Sequence, residues 1–256
     1  MFHVIVQARM GSTRLPGKTL KNYKGITPLN ILVRKLKKIN KISKIIIATT
    51  KLKEDNIFKK FCKKENVSLF RGSNLNVLNR YFHAAKKFKS KNIIRVTSDC
   101  PFIDNTTLNK MINLQIKNNY DYLSNTYPTP CTYPDGSDIE IFNFQTLNKT
   151  YKKAVLPSDK EHVTKYMWNS KIFKTKQINL QKDLSKYRYT IDIKDDFKLF
   201  CFIIDSFSKK KILDFKMNEI IKLIDRNPSK ILYQKKIKRN FGWNKSLKKD
   251  KEYLND

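Results

Sequence analysis

The stretch FHVIVQARMGSTRLPGK, residues 2–18, joins an apolar run to a basic loop that contains two glycines. The run from Val4 to Val6 has the β-branched composition of a strand that is covered on both faces. The loop supplies three cations, Arg9, Arg14 and Lys18, and its glycines allow backbone amides to approach a ligand closely. A buried strand that ends in such a loop predicts a bound anion. A polyphosphate matches three cations better than a single carboxylate does.

Two common phosphate-binding motifs do not fit this loop. The Walker motif needs Gly-x-x-x-x-Gly-Lys-Ser/Thr running directly into a helix, whereas five residues separate Gly11 from Gly17 and the residues after Lys18 read as a turn. The dinucleotide fingerprint needs three glycines at closer spacing. The sequence therefore disfavours a P-loop kinase and a dinucleotide-binding domain.

The rest of the chain alternates between β-branched apolar runs and segments with helical spacing of apolar residues. Repeated strand–helix units predict an α/β protein, a three-layer α/β/α sandwich with a mainly parallel, mixed sheet. Ligands in such sheets bind beyond the carboxyl ends of the strands, so we expect the basic loop, Arg71 and Asp99 to meet at one edge. The predicted strands cover residues 2–6, 44–49, 67–70, 92–97, 138–142, 171–178 and 188–192, and the predicted helices about 27–36, 54–65, 77–88, 145–154, 158–169, 197–207 and 218–225.

The formal net charge of +32 has two interpretations. One is a surface that binds nucleic acid or an anionic membrane. The other is biased amino-acid usage, because the lysines are spread along every predicted element and are not gathered into one patch with aromatic residues. The distribution favours the second interpretation, with only a general attraction to polyanions.

The four cysteines have neither Cys-x-x-Cys spacing nor a histidine at metal-site spacing, so we expect reduced thiols. The apolar run at the amino terminus gives way to Gln7 and Arg9, and no other run approaches the length of a membrane span. These features predict a soluble, cytoplasmic protein without membrane insertion.

Seven segments of the chain together resemble the sugar-nucleotide cytidylyltransferases, and most closely the branch of spore-coat polysaccharide biosynthesis protein F. This branch is related to the CMP-Kdo and acylneuraminate cytidylyltransferases. The resemblance implies the nucleotide-diphospho-sugar transferase (glycosyltransferase-A-like) fold. We expect a nucleotidyltransferase domain over residues 1–228 and a basic C-terminal extension, irregular or a peripheral helix, over residues 229–256. The segments are QARMGSTRLPGK (7–18), FRGS (70–73), NVLNRY (76–81), RVTSDCP (95–101), YPDGSDIEIF (133–142), PSDKEHVT (157–164) and YTIDIKDDF (189–197).

The resemblance implies that Asp99 and Asp192 hold one Mg²⁺, since each follows a predicted strand and a hard cation prefers carboxylate oxygens. By itself, an aspartate at a strand end is also typical of a turn or a helix cap, and Asp192 precedes a helix. In the implied reaction a sugar hydroxyl attacks the α-phosphorus of CTP in line with departing pyrophosphate. The implied catalytic residues are Arg14, Lys18 and Asp99, with Arg14 and Lys18 on the β- and γ-phosphates.

The nucleotide-binding residues implied by the resemblance belong to three of the segments. The backbone near Gln7 and Ala8 and the segment of Arg71 are expected to select the base, while the amides near Gly11 and Ser12 contact the triphosphate. For Arg80 an exposed helical arginine stays an open alternative. The full nucleotide-binding set is Gln7, Ala8, Arg9, Gly11, Ser12, Arg14, Lys18, Arg71 and Arg80.

The expected sugar-binding residues are Asp138, Glu140, Glu161 and His162. Asp138 and Glu140 alternate to one face of their predicted strand, where they meet either sugar hydroxyls and the cation or water. His162 would orient a substrate carboxylate or act as an acid or base. Ser158 followed by Glu161 is also a capping-box pattern, which explains both residues without a substrate.

The function that the resemblance implies is a CTP-dependent cytidylyltransferase that makes a CMP-sugar for a surface polysaccharide or glycan. Its expected partners are CTP and a small acidic sugar, an ulosonic or nonulosonic acid, with no specific nucleic acid. We also expect a homodimer, with exposed aromatic residues in 120–144 available for the contact. Two departures from the family pattern are Ser98, often glycine, and Lys194, commonly proline. A nucleotide-sugar-dependent glycosyltransferase and a polyanion-binding protein stay open as alternatives.

Overall fold

The computed structural model describes residues 1–208, 211–237 and 241–255. The described residues contain one sheet of seven strands in the order β3-β2-β1-β4-β6-β5-β7. Strands β1 to β4 are mutually parallel, β6 is antiparallel to both β4 and β5, and β7 is parallel to β5. The strands are β1 (Phe2–Gln7), β2 (Ile42–Thr50), β3 (Ser68–Gly72), β4 (Asn92–Thr97), β5 (Tyr122–Ser124), β6 (Glu140–Asn143) and β7 (Thr175–Gln177).

The first strand lies at the centre of the parallel part because both its faces are apolar. Val4 and Val6 face one core cluster and Ile5 faces the other, and none of the three is exposed to solvent. Val4 pairs with Ile45 of β2 on one side and with Ile94 of β4 on the other. Burial on both faces explains why the sequence shows a continuous apolar run here instead of an alternation.

Ten α-helices in the described residues cover the sheet. Apolar residues of α1, α2, α4, α8 and α9 fill the first core cluster, and those of α3, α5 and α7 fill the second. The predicted three-layer α/β/α architecture with a mixed, mostly parallel sheet is confirmed. The helices are α1 (Pro28–Lys37), α2 (Ile57–Lys64), α3 (Val77–Lys87), α4 (Asn105–Asn118), α5 (Phe144–Lys153), α6 (Pro157–His162), α7 (Lys165–Asn169), α8 (Lys194–Ser206), α9 (Met217–Arg226) and α10 (Phe241–Asn255).

Three predicted elements differ from the structure. The strand predicted over 171–178 is limited to β7 (Thr175–Gln177). Residues 188–192 do not form a strand: Arg188 makes one isolated bridge to Asp135, and the amide of Ile191 donates to the carbonyl of Asp99 (2.8 Å), so the segment pairs with loops. The helix predicted over 158–169 is interrupted at Val163, whose φ of +66° no α-helix continues through.

None of the aromatic residues in 120–144 is exposed as predicted. Tyr122, Tyr133 and Phe142 are at most 1% exposed and belong to the core, while Tyr120, Tyr127 and Phe144 are half-buried. That part of the dimer argument was wrong, while the oligomeric state itself stays a prediction.

The division of the chain at residue 228 also stays a prediction. Residues 238–240 and 256 of the predicted extension lie outside the described residues. The described part of the extension includes α10, which packs against α6. All four cysteines are free thiols. Within the described ranges, none of the helices combines the length and the apolar character needed to cross a bilayer.

Candidate active site

The basic loop after β1 is folded back by hydrogen bonds to its own backbone and to the turn after β2. The amide of Met10 donates to Asp55 Oδ1 (2.7 Å), and the amide of Gly17 donates to the carbonyl of Met10 (3.0 Å). Gly17 has a φ of +68°, which a glycine adopts without strain. Asp55 is 1% exposed and was not singled out from the sequence. These contacts return the chain to the sheet edge at Lys18.

Lys18 joins the two aspartates predicted to hold the metal. Its Nζ donates to Asp99 Oδ2 at 2.6 Å and to Asp192 Oδ1 at 2.7 Å, although the two carboxylates come from positions 93 residues apart in the chain. A guanidinium nitrogen of Arg14 lies 3.2 Å from the same oxygen of Asp192. The structure therefore brings Arg14, Lys18, Asp99 and Asp192 together at the carboxyl ends of the parallel strands.

The Asp192 carboxylate is positioned by the start of α8. Asp196, which is fully buried, accepts hydrogen bonds from the amides of Asp192 (2.8 Å) and Ile193 (3.1 Å). The helix cap is therefore Ile193 with Asp196, so the helix-cap alternative for Asp192 is wrong. Arg188 donates to Asp192, Asp135 and Asp196 and fixes the segment from the other side.

The protonation of this cluster follows from its opposite charges. Burial alone would lower the pKa of Lys18, but the charges of Asp99 and Asp192 and its hydrogen bonds to both outweigh burial and raise that pKa. Burial would raise the pKa of Asp192, yet Lys18, Arg14 and Arg188 lower it to about 2. The ammonium and the Asp192 carboxylate are both charged at neutral pH.

The donor set fits a divalent cation brought by a polyphosphate. Among the described residues no group of three or more His, Cys, Asp or Glu side chains could hold a metal. Two carboxylates that already converge on one cation nevertheless suit Mg²⁺, because this ion commonly uses one or two carboxylates together with water and substrate phosphate oxygens.

A cavity of about 210 Å³ adjoins Asp99 and Asp192. Of the predicted sugar-binding residues, Asp138, Glu140 and His162 line this cavity and Glu161 does not. The predicted nucleotide-site residues Gln7 and Arg14 line the cavity as well. Several other lining residues were not predicted from the sequence, namely Arg95, Tyr127, Asp135, Arg188 and Trp243.

Glu140 is 1% exposed and forms the centre of a buried polar network. It pairs with Arg95 and accepts hydrogen bonds from the hydroxyls of Tyr122 (2.6 Å) and Thr164 (2.5 Å). The alternative that Glu140 faces water is wrong, because its strand is covered on this face. Burial would lower the pKa of Arg95, but the carboxylate of Glu140 raises it above its ordinary value.

His162 and Glu161 both contact α10. The hydroxyl of Ser246 donates to Glu161 Oε2 (2.7 Å) and lies 3.0 Å from His162 Nε2. Burial, with Arg95 and Lys165 nearby, lowers the pKa of His162 to about 4 despite Glu161, so the imidazole is neutral at pH 7. The capping-box alternative is wrong: α6 is preceded by Leu156, and the amide of Ser158 donates to Asp250 (2.8 Å).

A family model described as cytidylyltransferase matches residues 3–239 of the chain. The chain belongs to the cytidylyltransferase family. Two relatives and one solved structure are similar to the chain over most of its length. The chain is 35% identical to the uncharacterized protein MJ1063 of Methanocaldococcus jannaschii, over 88% of this chain and 90% of the relative. It is 32% identical to the spore coat polysaccharide biosynthesis protein SpsF of Bacillus subtilis, over 88% and 94% of the two chains.

The solved structure of a cytidylyltransferase from Leptospira borgpetersenii superposes on this cytidylyltransferase with a TM-score of 0.83. The pair has 34% sequence identity, with 90% of this chain and 96% of that chain covered. The fold is thus the nucleotide-diphospho-sugar transferase fold, and the protein is a nucleotidyltransferase. Family membership speaks against the glycosyltransferase and polyanion-binding alternatives.

The loop residues predicted to bind the nucleotide lie in different environments. Gln7 Oε1 accepts from Arg95 (3.1 Å) at the cavity wall, and the amide of Ala8 donates to the carbonyl of Ala48 (3.2 Å). Arg9 is exposed. A Cβ at Gly11 would lie 3.0 Å from Glu54 Oε1, so a side chain there requires Glu54 to move. Ser12 accepts a long hydrogen bond from a later amide of the loop (3.4 Å).

The two other predicted nucleotide-site arginines make structural contacts. Arg71 donates to the carbonyls of Thr50 and Leu52, both at 2.9 Å, and so holds the turn after β2. Arg80 is 2% exposed and donates to the carbonyl of Ser73 (2.6 Å), so its alternative as an exposed helical arginine is wrong. Burial lowers the pKa of Arg80.

Ser98, one of the two departures from the family pattern, also has a structural partner. Its hydroxyl lies 2.9 Å from the hydroxyl of Thr19, which is buried directly after Lys18. The serine therefore ties the end of the basic loop to the end of β4. Lys194 occupies the first position of α8, where the family's proline would also fit.

Proposed function

We propose that this cytidylyltransferase transfers CMP from CTP to the hydroxyl of a small acidic sugar, an ulosonic or nonulosonic acid, and releases pyrophosphate. The product would serve a surface polysaccharide or glycan. The observation that supports this proposal most strongly is the position of Lys18, which ends the basic loop and contacts Asp99 and Asp192 together. A cationic loop and a shared pair of carboxylates are the parts that a triphosphate and its cation require.

In the proposed mechanism the chain's own residues act mainly by charge and position. Lys18 and Arg14 bind the β- and γ-phosphates and neutralise the charge that develops on the leaving pyrophosphate. Asp99 and Asp192 would hold Mg²⁺. This ion, when bound, neutralises phosphate charge and draws electron density from the phosphorus. As phosphate oxygens arrive, Lys18 exchanges its carboxylate partners for phosphate.

The loop backbone is proposed to bind the rest of the nucleotide. The amides near Gly11 and Ser12 contact the triphosphate, while Gln7 and Ala8 lie beside the base. Arg9, exposed on the same loop, reaches the nucleotide from outside. Arg71 and Arg80 act by holding the turns after β2 and β3, and the turn after β2 adjoins the loop through the bond of Met10 to Asp55.

The cavity beside the two aspartates is proposed to take the sugar. Asp138 and His162 line it and would contact the sugar directly, whereas Glu140 acts through Arg95 and Glu161 through the contact of His162 with Ser246. Arg95 and Arg188 line the same cavity, each paired with a carboxylate of the chain, and are the cations that the carboxylate of an acidic sugar would contact there. We further propose a homodimer in the cytoplasm, to be checked by light scattering and cell fractionation.

The function is tested by measuring pyrophosphate release from CTP and Mg²⁺ with a panel of ulosonic and nonulosonic acids. Lys18→Met should reduce kcat by at least about a hundredfold, because two charge-assisted contacts to phosphate are lost. Lys21→Met is the matched control, since Lys21 is an exposed lysine three residues away, and it should keep wild-type rates. The proposal is refuted if the wild-type protein releases no pyrophosphate and also shows no CTP-dependent thermal shift.

A further inference from the structure

The cavity has an aromatic side that the predicted sugar residues do not account for. The chain contains two tryptophans, Trp168 and Trp243, and their rings lie 5.5 Å apart. The ring of Tyr127 stacks on Trp168 at 6.1 Å with 9° between the planes and lies 6.5 Å from Trp243. We refer to Tyr127, Trp168 and Trp243 as the aromatic wall. Tyr127 and Trp243 border the same cavity as Asp99 and Asp192.

Trp243 reaches this position because α10 is fixed to the α6–α7 segment. Asp250 accepts from the amide of Ser158 (2.8 Å) and from Lys165 Nζ (2.8 Å), and both carboxylate and ammonium are less than a tenth exposed. Burial would raise the pKa of Asp250, but Lys165 and Ser158 lower it. One turn earlier on the helix, Ser246 contacts His162.

The imidazole of His162 connects the anchor of α10 to the wall. Its ring centre lies 4.8 Å from that of Trp243, and the Lys165 ammonium lies 5.6 Å from the Trp243 ring. Trp243 therefore packs against His162, Lys165 and Trp168. A side chain packed in this way presents a fixed face to the cavity.

We propose that Trp243 determines sugar specificity by packing its ring against the apolar face of the sugar ring. The inference rests on the proposed function, because it takes the cavity as the sugar site. Sugar rings carry C–H groups on their faces and hydroxyls on their rims. A site that combines an aromatic face with the polar groups Asp135, Asp138 and Arg188 matches both parts of such a ligand.

Sequence position separates this part of the site from the rest. The match to the family model ends at residue 239, and α10 begins at Phe241. The triphosphate loop and both aspartates lie within the matched residues, whereas Trp243 lies beyond them. A residue outside the matched region that borders the acceptor cavity is a place where enzymes with the same chemistry are able to differ in substrate.

The first test separates sugar binding from nucleotide binding by steady-state kinetics. Trp243→Ala should raise KM for the sugar about tenfold or more and leave KM for CTP within about twofold, because none of the ring's neighbours is a predicted nucleotide residue. These neighbours are Tyr127, His162, Lys165 and Trp168. Trp243→Phe, which keeps an aromatic face, should recover most of the sugar affinity. Leu254→Ala is the control on the same helix, since Leu254 is 70% exposed. Circular dichroism checks that each variant stays folded.

The second test does not need turnover, because both tryptophans of the chain lie in the wall. Sugars of acidic, neutral and amino classes are titrated into full-length protein while tryptophan emission is recorded. Trp168→Phe leaves Trp243 as the reporter, and a bound sugar should change its emission. Asp250→Asn removes the charge that Lys165 pairs with. This substitution should weaken the emission response and raise KM for the sugar.

The outcomes for the wall and for the function are distinguishable. If Trp243→Ala releases pyrophosphate with an unchanged KM for the sugar, the proposed role of Trp243 in sugar specificity is refuted and the proposed function is not affected. A sugar-dependent change in Trp243 emission with neither pyrophosphate release nor a CTP-dependent thermal shift supports the role of the aromatic wall and overturns the function. No emission change with any sugar and no turnover would overturn both.

Discussion

Replacing Lys18 by methionine isolates the interaction on which the site depends. The substitution keeps the length and apolar stem of the side chain but removes the ammonium between Asp99 and Asp192. We expect apo Lys18→Met protein to be destabilised and, unlike the wild type, to be stabilised strongly by Mg²⁺ in the absence of nucleotide. The reason is that two carboxylates which share one ammonium become a pair of facing negative charges.

The magnitude follows from the geometry. Asp99 Oδ2 and Asp192 Oδ1 are 2.6 and 2.7 Å from Lys18 Nζ, so these two oxygens cannot be more than 5.3 Å apart, the sum of the two distances. At an effective dielectric constant of about 20, two unit charges at that separation repel by about 3 kcal/mol. Arg14 and Arg188 reduce this repulsion, because both lie near Asp192. We therefore expect a loss of about 2 kcal/mol in the free energy of unfolding, or about 4–8 °C in melting temperature.

The assay is thermal unfolding against Mg²⁺ concentration without nucleotide. Mg²⁺ at about a hundred times its dissociation constant stabilises the folded state by about 2.7 kcal/mol, enough to restore the melting temperature of Lys18→Met. Adding Asp99→Asn to Lys18→Met should abolish most of the response, and Ca²⁺ checks for general charge screening. If Mg²⁺ stabilises Lys18→Met no more than wild type, the two aspartates do not form a cation site and the reasoning fails.

Three further predictions concern the residues around the cavity. Gly136→Ala should lower the free energy of unfolding by at least about 2 kcal/mol. The reason is that Gly136 has a φ of +105° and that a Cβ there would lie 2.6 Å from the amide nitrogen of Thr190. Because Thr190 is close to Asp192, the substitution should also reduce kcat. Glu140→Gln should cost about 3–5 kcal/mol, since it leaves the buried Arg95 charge unpaired. His162, with a pKa of about 4 when folded and 6.5 when unfolded, contributes stability that is complete above pH 6.5 and is lost as the pH falls towards 4, by at most about 3 kcal/mol.

Each of these predictions has its own measurement and contrary result. For Gly136→Ala the measurement is chemical denaturation. A denaturant midpoint equal to that of the wild type would show that the close approach is relieved without cost. A Glu140→Gln protein as stable as wild type would mean that Arg95 finds another partner. For the histidine, the difference in unfolding free energy between wild type and His162→Gln is followed from pH 7 to pH 4. A constant difference would contradict the prediction. Comparing variant with wild type removes the contribution of His3, whose pKa is also lowered by burial.

The fold and the edge of the sheet that carries the site were predictable because both depend on local patterns. A continuous β-branched run such as Val4 to Val6 specifies a strand covered on both faces, and parallel strands place their carboxyl ends at one edge. Asp99 and the start of the basic loop therefore lie at the same edge, while the position of Lys18 depends on the contacts that fold the loop back. The resemblance of the motifs supplied Asp192, whose segment was wrongly predicted as a strand, because its apolar alternation matches a strand while its amides bond to loops.

The environment of individual polar side chains was not predictable, because it depends on contacts between distant segments. Glu140 appeared to be a sugar ligand, yet it pairs with Arg95 from the neighbouring strand. An arginine between Ile94 and Val96 in an apolar strand was the available signal for a buried partner. Trp243 gave no comparable signal, since it lies in a basic segment with weak patterning and is placed by the contact between Asp250 and Lys165.

The most direct test of the account is a crystal structure with CTP and Mn²⁺, in which anomalous scattering locates the ion. We expect the ion to be coordinated by carboxylate oxygens of both Asp99 and Asp192, with Lys18 Nζ moved onto the phosphates and the cavity beside Trp243 open to the sugar. An ion bound away from these two aspartates, or a triphosphate that does not contact the loop from Arg9 to Lys18, would contradict it.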